Sequence, residues 1–192
     1  MARWEPGAPE RLQQAALELF ATRGFERTTA TEIALAVGLT ERTFFRHFSD
    51  KREVLFHGQQ RLVEAFLEGV AAAPADASPI DVVAAALRSA AAFFPDERRA
   101  HSRTRQSVID ENPALQEREL HKLATIATTL ADALRARGVG DLEARLAAET
   151  AMTVFGVAFT QWIREGEDRS LADIETAVFR ELAALTGKAD LA

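Results

Sequence analysis

Residues 29–48 read TATEIALAVGLTERTFFRHF, and this stretch contains two helix starts that lie close together. Thr29 and Glu32 have the spacing of a capping box, in which each side chain accepts a hydrogen bond from the other residue's backbone N–H. Gly38 is typical of a helix end, and Thr40, two residues later, is a good N-cap for the next helix. Two short helices joined by so tight a turn are typical of a helix-turn-helix unit.

The second helix of this pair carries three phenylalanines and two arginines. An α-helix advances about 100° per residue, so Phe44 and Phe48, four residues apart, share one face. Arg42 and Arg46 lie nearly opposite these rings, and Phe45 lies at the flank. We therefore expect two rings to anchor the helix in a hydrophobic core while the two arginines face outward.

The whole chain has the composition of a folded helical protein. Its 192 residues are 47% hydrophobic and 27% charged, and β-branched runs with the period-two alternation of strands are missing. We therefore predict an all-α fold, with a length that suits one domain or a small domain joined to a larger one. The amino terminus has no apolar core of signal-peptide length, and no segment has the apolar length of a membrane span, so we expect a cytoplasmic protein.

The charge of the chain is distributed unevenly. Residues 1–58 contain eight basic and eight acidic residues, whereas residues 59–192 account for the whole net charge of −6. Within residues 40–52, four basic residues stand against two acidic ones. Such a local excess of positive charge is what a surface that docks on DNA needs.

Residues 11–55 as a whole resemble the DNA-binding domain of the TetR family of transcriptional regulators. The resemblance rests on an A-x-x-L-F-x-x-x-G-F helix, a T-T-x-x-x-I-A step, a G-L-T turn, a T-F-F-x-x-F recognition helix and a following lysine. It implies a helix-turn-helix domain at residues 8–56 and a helical effector-binding and dimerisation domain at residues 57–190, with about nine helices in total.

The resemblance also implies which residues meet double-stranded DNA. These residues are Thr29, Thr40, Arg42, Thr43, Phe45, Arg46, His47 and Lys51. We expect Asp50 to cap a long fourth helix that reaches to about Val70. Lys51 would then lie in its first turn, where the ammonium group and the free N–H groups would seat a phosphate.

Two of these positions depart from the family pattern, which often has glycine where Arg42 stands and tyrosine where Phe45 stands. Phe45 has no hydroxyl for a phosphate, although its ring can pack against a sugar or a thymine methyl. Arg42 can form two hydrogen bonds with guanine, which would discriminate between bases by about 1–3 kcal/mol. The alternative for the arginines is a solvated helix face, and the alternative function is a helical small-molecule-binding protein that has lost DNA binding.

The resemblance places an effector pocket among the fourth to seventh helices. The candidate lining residues are Phe66, Phe93, Phe94, His101, Arg105, Val108 and Ile109. Because most of them are apolar, we expect a largely apolar small-molecule effector, whose identity the sequence does not give. The arginines around His101 form either a solvated face or the seat of a polar group of that effector.

The last two helices carry more apolar surface than a lone exposed hairpin would, and the resemblance implies that they pair across a two-fold axis. The candidate interface residues are Val154, Phe155, Ala158, Trp162, Ile174, Val178 and Leu182. We therefore expect a homodimer that binds a palindromic operator. The commonest outcome in the family is a repressor that a small molecule releases from DNA.

The sequence offers no sign of catalysis or of a cofactor. It has no cysteine, no Ser-His-Asp arrangement and no glycine-rich phosphate loop, so we do not predict an enzyme. Glu117 and His121 lie four residues apart on one predicted helix, with His101 upstream, but two helical ligands are too few for a metal site. We therefore predict no bound metal.

Overall fold

The computed structural model describes residues 7–186, and within that range the chain forms nine α-helices and no strand. The helices are α1 (Ala8–Arg23), α2 (Ala30–Ala36), α3 (Glu41–His47), α4 (Gln59–Ala72), α5 (Pro79–Ala91), α6 (Arg99–Asp110), α7 (Pro113–Ala136), α8 (Asp141–Trp162) and α9 (Leu171–Thr186). Two 3-10 turns, Glu53–Phe56 and Asp96–Arg98, precede α4 and α6. The all-α prediction is confirmed. The predicted domain end at residue 190 lies outside the described residues.

The described residues form two compact units. The first unit contains residues 7–59 and 101–121, and the second contains residues 60–100 and 122–186. The first unit therefore joins the helix-turn-helix to residues 101–121, which we name the α6–α7 elbow. In the sequence interpretation, these residues were part of the C-terminal domain.

The first unit has a hydrophobic core built from its short helices. α1 contributes Leu12 and Phe20, and α2 contributes Ile33. Phe44 is fully buried and Phe48 is 6% exposed, so the prediction that these two rings anchor α3 is confirmed. Three buried side chains from the elbow belong to the same core, namely Val108, Ile109 and Leu115.

The elbow also contacts the 3-10 turn through charged side chains. The ring of Phe56 faces two guanidinium groups, those of Arg105 at 5.0 Å and Arg118 at 4.6 Å from its centroid. Arg118 donates to both carboxylate oxygens of Glu53, at 2.6 and 3.0 Å, and Arg105 donates to Glu119 at 2.9 Å. Both pairs are largely shielded from water, which strengthens them relative to exposed ion pairs.

The predicted long fourth helix is wrong at its start, over residues 51–58. Asp50 accepts hydrogen bonds from the backbone N–H groups of Arg52 and Glu53, as a cap should. The turn that follows is a 3-10 turn, and α4 begins only at Gln59. Gly58 has a φ of 88°, a left-handed conformation that no α-helix contains, so it separates the turn from the helix.

The second unit packs α5, α8 and α9 around a core of Ala, Leu, Val and aromatic side chains. Gly69 of α4 is required where this helix meets α5. A Cβ atom at this position would lie 2.5 Å from the Cα atom of Ala86, so only a residue without a side chain permits so close an approach.

The second unit also buries a carboxyl group. Glu175 of α9 is 3% exposed, and neither of its carboxylate oxygens has a hydrogen-bond partner among the described residues. Burial raises the pKa of Glu175 to about 8, because the charged form loses its hydration without gaining a counter-ion. At neutral pH this side chain is therefore mostly protonated in the folded protein.

Candidate DNA-binding site

The start of α2 is fixed by a complete capping box, as the sequence predicts. The Thr29 hydroxyl accepts a hydrogen bond from the backbone N–H of Glu32 at 3.2 Å, and the Glu32 carboxylate accepts one from the N–H of Thr29 at 2.9 Å. The Thr29 hydroxyl also donates to the Glu32 carboxylate, at 2.9 Å. The hydrogen bonds that the carboxylate accepts, from the Thr29 backbone N–H first and from the Thr29 hydroxyl second, hold the pKa of Glu32 below its ordinary value. The box is therefore intact at neutral pH, and it leaves the exposed Thr29 at a defined place on the surface.

α3 begins in a similar way. The Thr40 hydroxyl accepts a hydrogen bond from the backbone N–H of Thr43 at 3.2 Å, and the two hydroxyl oxygens lie 3.0 Å apart. Thr40 is exposed and Thr43 is half-buried. This contact orients both hydroxyl groups at the first turn of α3.

The outer face of α3 carries the cations that the sequence predicts there. Arg42, Arg46 and His47 are all exposed, and a guanidinium nitrogen of Arg46 lies 3.5 Å from Nε2 of His47. Phe45 is 50% exposed, and its ring packs edge-on against the buried ring of Phe44, with centroids 5.4 Å apart. The buried rings thus hold the helix in place, and a half-exposed ring stands among the cations.

Lys51 does not lie in the first turn of α4, because it precedes the 3-10 turn. Its ammonium group points back to the connection between α1 and α2. There it donates to the carbonyl oxygens of Phe25 at 2.7 Å, Thr28 at 3.1 Å and Glu26 at 3.5 Å. The geometry that would seat a phosphate on Lys51 and a helix N-terminus is therefore not the one this structure has.

The seven candidate pocket residues do not form one cluster within a unit. Phe66, Phe93 and Phe94 belong to the second unit, where Phe94 lies within an aromatic cluster with Phe155 and Phe159 at centroid distances of 5.8 and 5.4 Å. The other four, His101, Arg105, Val108 and Ile109, belong to the first unit. Val108 and Ile109 are core residues there, and Arg105 is paired with Glu119, so core packing and an ion pair already engage these three side chains.

The arginines that surround His101 in the sequence are likewise spread over both units. Arg98 and Arg99 are in the second unit, and Arg103 and Arg105 are in the first. Arg99 donates to the carbonyl oxygens of Glu167 and Arg169, at the end of the connection between α8 and α9. The four do not form a single anion-binding cluster in either unit.

Five of the seven candidate interface residues are buried inside the second unit. Val154, Phe155, Ala158, Trp162 and Ile174 are at most 4% exposed, so within this protomer they present almost no surface to a second copy. Val178 and Leu182 are half-buried. The sequence shows that α8 is apolar around much of its circumference, but it does not show which of its faces turns inward.

The exposed face of α8 carries a different apolar stripe. Leu142, Leu146 and Val157 are 71%, 60% and 53% exposed, and their spacing places them on one side of the helix. Gly156 lies beside Val157, with open space where a Cβ atom would stand. A groove of about 610 Å³, lined in part by Ile80, Leu142 and Leu146, continues the stripe at the start of the helix.

The described residues do not meet the requirements of a metal-binding cluster or of a membrane-crossing helix. Residues 7–186 contain no group of three or more His, Asp or Glu side chains arranged to hold a metal ion. No described helix has both the length and the apolar character that crossing a membrane requires.

Comparison with known proteins identifies both parts of the chain. Residues 12–57 match the family model described as bacterial regulatory proteins of the tetR family, and residues 77–186 match the model described as the MftR C-terminal domain. Over 80 residues, 42% of this chain, the sequence is 41% identical to the HTH-type transcriptional regulator TcmR of Streptomyces glaucescens, and the match spans 35% of that relative. The putative mycofactocin biosynthesis transcriptional regulator MftR of Mycobacterium tuberculosis is 29% identical over 177 residues, covering 89% of this chain and 87% of that protein.

Solved structures agree with these relatives. FadR of Thermus thermophilus, a TetR-family transcriptional repressor solved with lauroyl-CoA, is 26% identical and has a TM-score of 0.54, over 94% of this chain and 95% of that one. FadR of Bacillus halodurans, at 17% identity, has a TM-score of 0.58 over 93% and 96% of the two chains and supports the fold. These relatives are regulators, which confirms the prediction that the chain is not an enzyme. The chain belongs to the TetR family of bacterial regulatory proteins and carries a C-terminal domain of the MftR type.

Proposed function

We propose that this protein is a ligand-responsive, sequence-specific DNA-binding regulator, acting as a repressor that binds a palindromic operator as a homodimer. The observation that carries the proposal is the outer face of α3. Two exposed arginines and a half-exposed phenylalanine project from a helix that buried Phe44 and Phe48 anchor in the core. On a solvated surface, an exposed ring between two cations has no contact to make. A helix in the major groove can use the cations to bind base edges and the ring to pack against a thymine methyl group.

Each exposed residue has a distinct role in this proposal. Thr29 and Thr40 donate their hydroxyl protons to phosphates, which fix the register of the protein on the duplex. For Thr29 this requires that the proton turn from the Glu32 carboxylate, which accepts it at 2.9 Å in the free protein. Arg46 and His47 add positive charge along the groove, Phe45 packs against a sugar or a thymine methyl, and Arg42 reads guanine through two hydrogen bonds. The hydroxyl group of Thr43 lies beside that of Thr40. In this proposal Thr43 therefore meets DNA together with Thr40, at the first turn of α3.

The dimer seam is proposed on the exposed stripe of α8, together with the half-buried residues Val178 and Leu182 of α9. Glycine in the middle of a helix costs about 0.5–1 kcal/mol relative to alanine. Within the protomer, open space surrounds the place where a Cβ atom of Gly156 would stand, so the protomer itself does not require a glycine there. Close approach of a helix from a second copy would explain this residue, and a two-fold arrangement matches the symmetry of a palindrome.

The effector site is proposed in the second unit, around Phe66, Phe93 and Phe94. Phe94 contacts Phe155, Phe159 and the ring of Trp162, and the guanidinium of Arg98 lies 4.9 Å from the centroid of Phe93. Aromatic side chains beside an exposed cation suit an apolar molecule with an anionic end. The lauroyl-CoA in FadR of Thermus thermophilus has this chemistry, so acyl thioesters are the first compounds to test.

The response to effector requires that the effector bind more tightly to a form of the dimer that does not fit the operator. An effector with equal affinity for both forms would not shift the equilibrium between them.

The cytoplasm, where bacterial DNA lies, is the proposed location. The alternative is a helical binding protein that has lost DNA binding, and its support is the presence of Arg42 and Phe45 where the family often has glycine and tyrosine.

The proposal is tested by selecting binding sites from random duplexes with the purified protein at about 100 mM salt. Enrichment of an inverted repeat, and its loss in Arg46→Ala but not in Arg88→Ala, would support it. Arg88 is a matched control because it is an exposed arginine on α5, in the other unit. A folded protein that enriches no sequence would favour the alternative function.

A further inference from the structure

Lys51 has an unusual environment for a lysine on a DNA-binding surface. Three carbonyl oxygens, those of Phe25, Glu26 and Thr28, lie 2.7 to 3.5 Å from its Nζ atom. The ring of Phe25 lies below, with its centroid 4.2 Å away. An ammonium group has three N–H donors, so these three acceptors engage all of them.

The three carbonyl groups belong to the connection between α1 and α2, at residues 24–28. This connection begins at Gly24, whose φ is 88°, and it ends at the buried Thr28, whose hydroxyl donates to the carbonyl of Gly24 at 2.9 Å. Peptide carbonyls outside regular helices need donors from elsewhere. Lys51 supplies donors from a site more than 20 residues further along the chain.

The connection leads directly to Thr29, which is exposed on the surface. Thr29 follows Thr28 directly and caps α2, so the place of its hydroxyl depends on the path of the connection. A shift in that path moves Thr29 and the start of α2 together.

We propose that Lys51 is a positioning residue of the DNA interface, which holds the α1–α2 connection so that Thr29 reaches its phosphate, and that it does not itself bind DNA. The inference rests on the proposed DNA-binding function. To meet a phosphate, the ammonium group must leave three carbonyl oxygens and an aromatic face. The carbonyl oxygen of Phe25 would then keep only the backbone N–H of Thr28, at 3.3 Å. The carbonyl oxygens of Glu26 and Thr28 would lose the donor that Lys51 supplies.

Arginine distinguishes the two roles. A guanidinium group is a planar fork that binds phosphate at least as well as an ammonium group does. Its donors do not converge on three carbonyl oxygens around one nitrogen atom. Lys51→Arg therefore preserves a phosphate contact but disrupts the positioning role.

The test measures operator affinity at several salt concentrations for Lys51→Arg, Lys51→Met and the unaltered protein, using the selected duplex. Positioning predicts that both variants bind about tenfold more weakly or worse, the loss expected for a hydrogen bond to a charged group. It also predicts an unchanged slope of log affinity against log salt, because no cation has left a phosphate. Hydrogen exchange at residues 24–32 should rise in both variants.

Chemical rescue provides a matched control. The chain has no cysteine, so Lys51→Cys can be alkylated at that one site with 2-bromoethylamine, which restores an amine close in length to lysine. Affinity and slow exchange should both return.

Two results would overturn the inference. In the first, Lys51→Arg keeps the affinity and Lys51→Met lowers the salt slope by about 0.9 for each lysine removed, as a phosphate contact predicts. In the second, exchange at residues 24–32 does not change in either variant. If the unaltered protein binds no duplex, the proposed function fails, while the exchange measurement still decides whether Lys51 holds the connection.

Discussion

Removing the buried carboxylic acid of Glu175 on α9 should change how the stability of the protein depends on pH. The pKa of Glu175 rises from an ordinary value of 4.5 to about 8 in the folded protein. One pH unit of pKa difference corresponds to about 1.4 kcal/mol, so the whole difference amounts to about 5 kcal/mol. The folded state binds this proton more tightly than the unfolded state does, so the stabilisation is complete below pH 4.5 and is lost as pH rises to about 8.

Glu175→Gln removes the titrating group and keeps the size of the side chain. Between about pH 6 and pH 9, the free energy of unfolding of the unaltered protein should fall by about 3 kcal/mol relative to that of this variant. Urea unfolding at both pH values, at one protein concentration, measures the difference. Glu181→Gln, an exposed position on the same helix, is the control for the loss of one charge. If Glu175→Gln changes stability equally at both pH values, Glu175 is not a buried protonated acid and the reasoning fails.

Three further changes test other parts of the molecule. Arg46→Ala should lower the slope of log operator affinity against log salt by about 0.9 for each arginine that leaves a phosphate, and an unchanged slope would mean that this side chain contacts no phosphate. Gly69→Ala should lower the free energy of unfolding by about 1–3 kcal/mol, because the added methyl group overlaps the backbone of α5. An unchanged midpoint of urea unfolding would contradict the close approach of α4 to α5 at this residue. Val157→Glu should convert the dimer to a monomer in light scattering, whereas Leu120→Glu, at an exposed leucine of α7, should not. A dimer in both variants would place the dimer interface elsewhere.

The helix-turn-helix could be predicted from the sequence because its signals are local. The capping box at Thr29 and the four-residue spacing of Phe44 and Phe48 depend on neighbours in the chain. The structure confirms both. The recognition of the family rests on the same residues.

The parts that were mispredicted depend on contacts between distant residues. The donors of Lys51 meet carbonyl groups more than 20 positions earlier, and Arg118 pairs with Glu53, 65 positions away. No local pattern reports such pairs. On α8, apolar residues occupy both the buried and the exposed faces, so Val154 and Val157 could not be told apart by hydrophobicity alone.

The α6–α7 elbow affects how the protein is made. A growing chain that has released residues 1–59 still lacks Val108, Ile109 and Leu115, which lie in the core of the first unit. That core closes only when the elbow leaves the ribosome, after residues 60–100 have already emerged. A product truncated before the elbow would keep the recognition helix but lack three side chains of the core to which that helix belongs. Unfinished chains should therefore aggregate or be degraded before they compete for the operator.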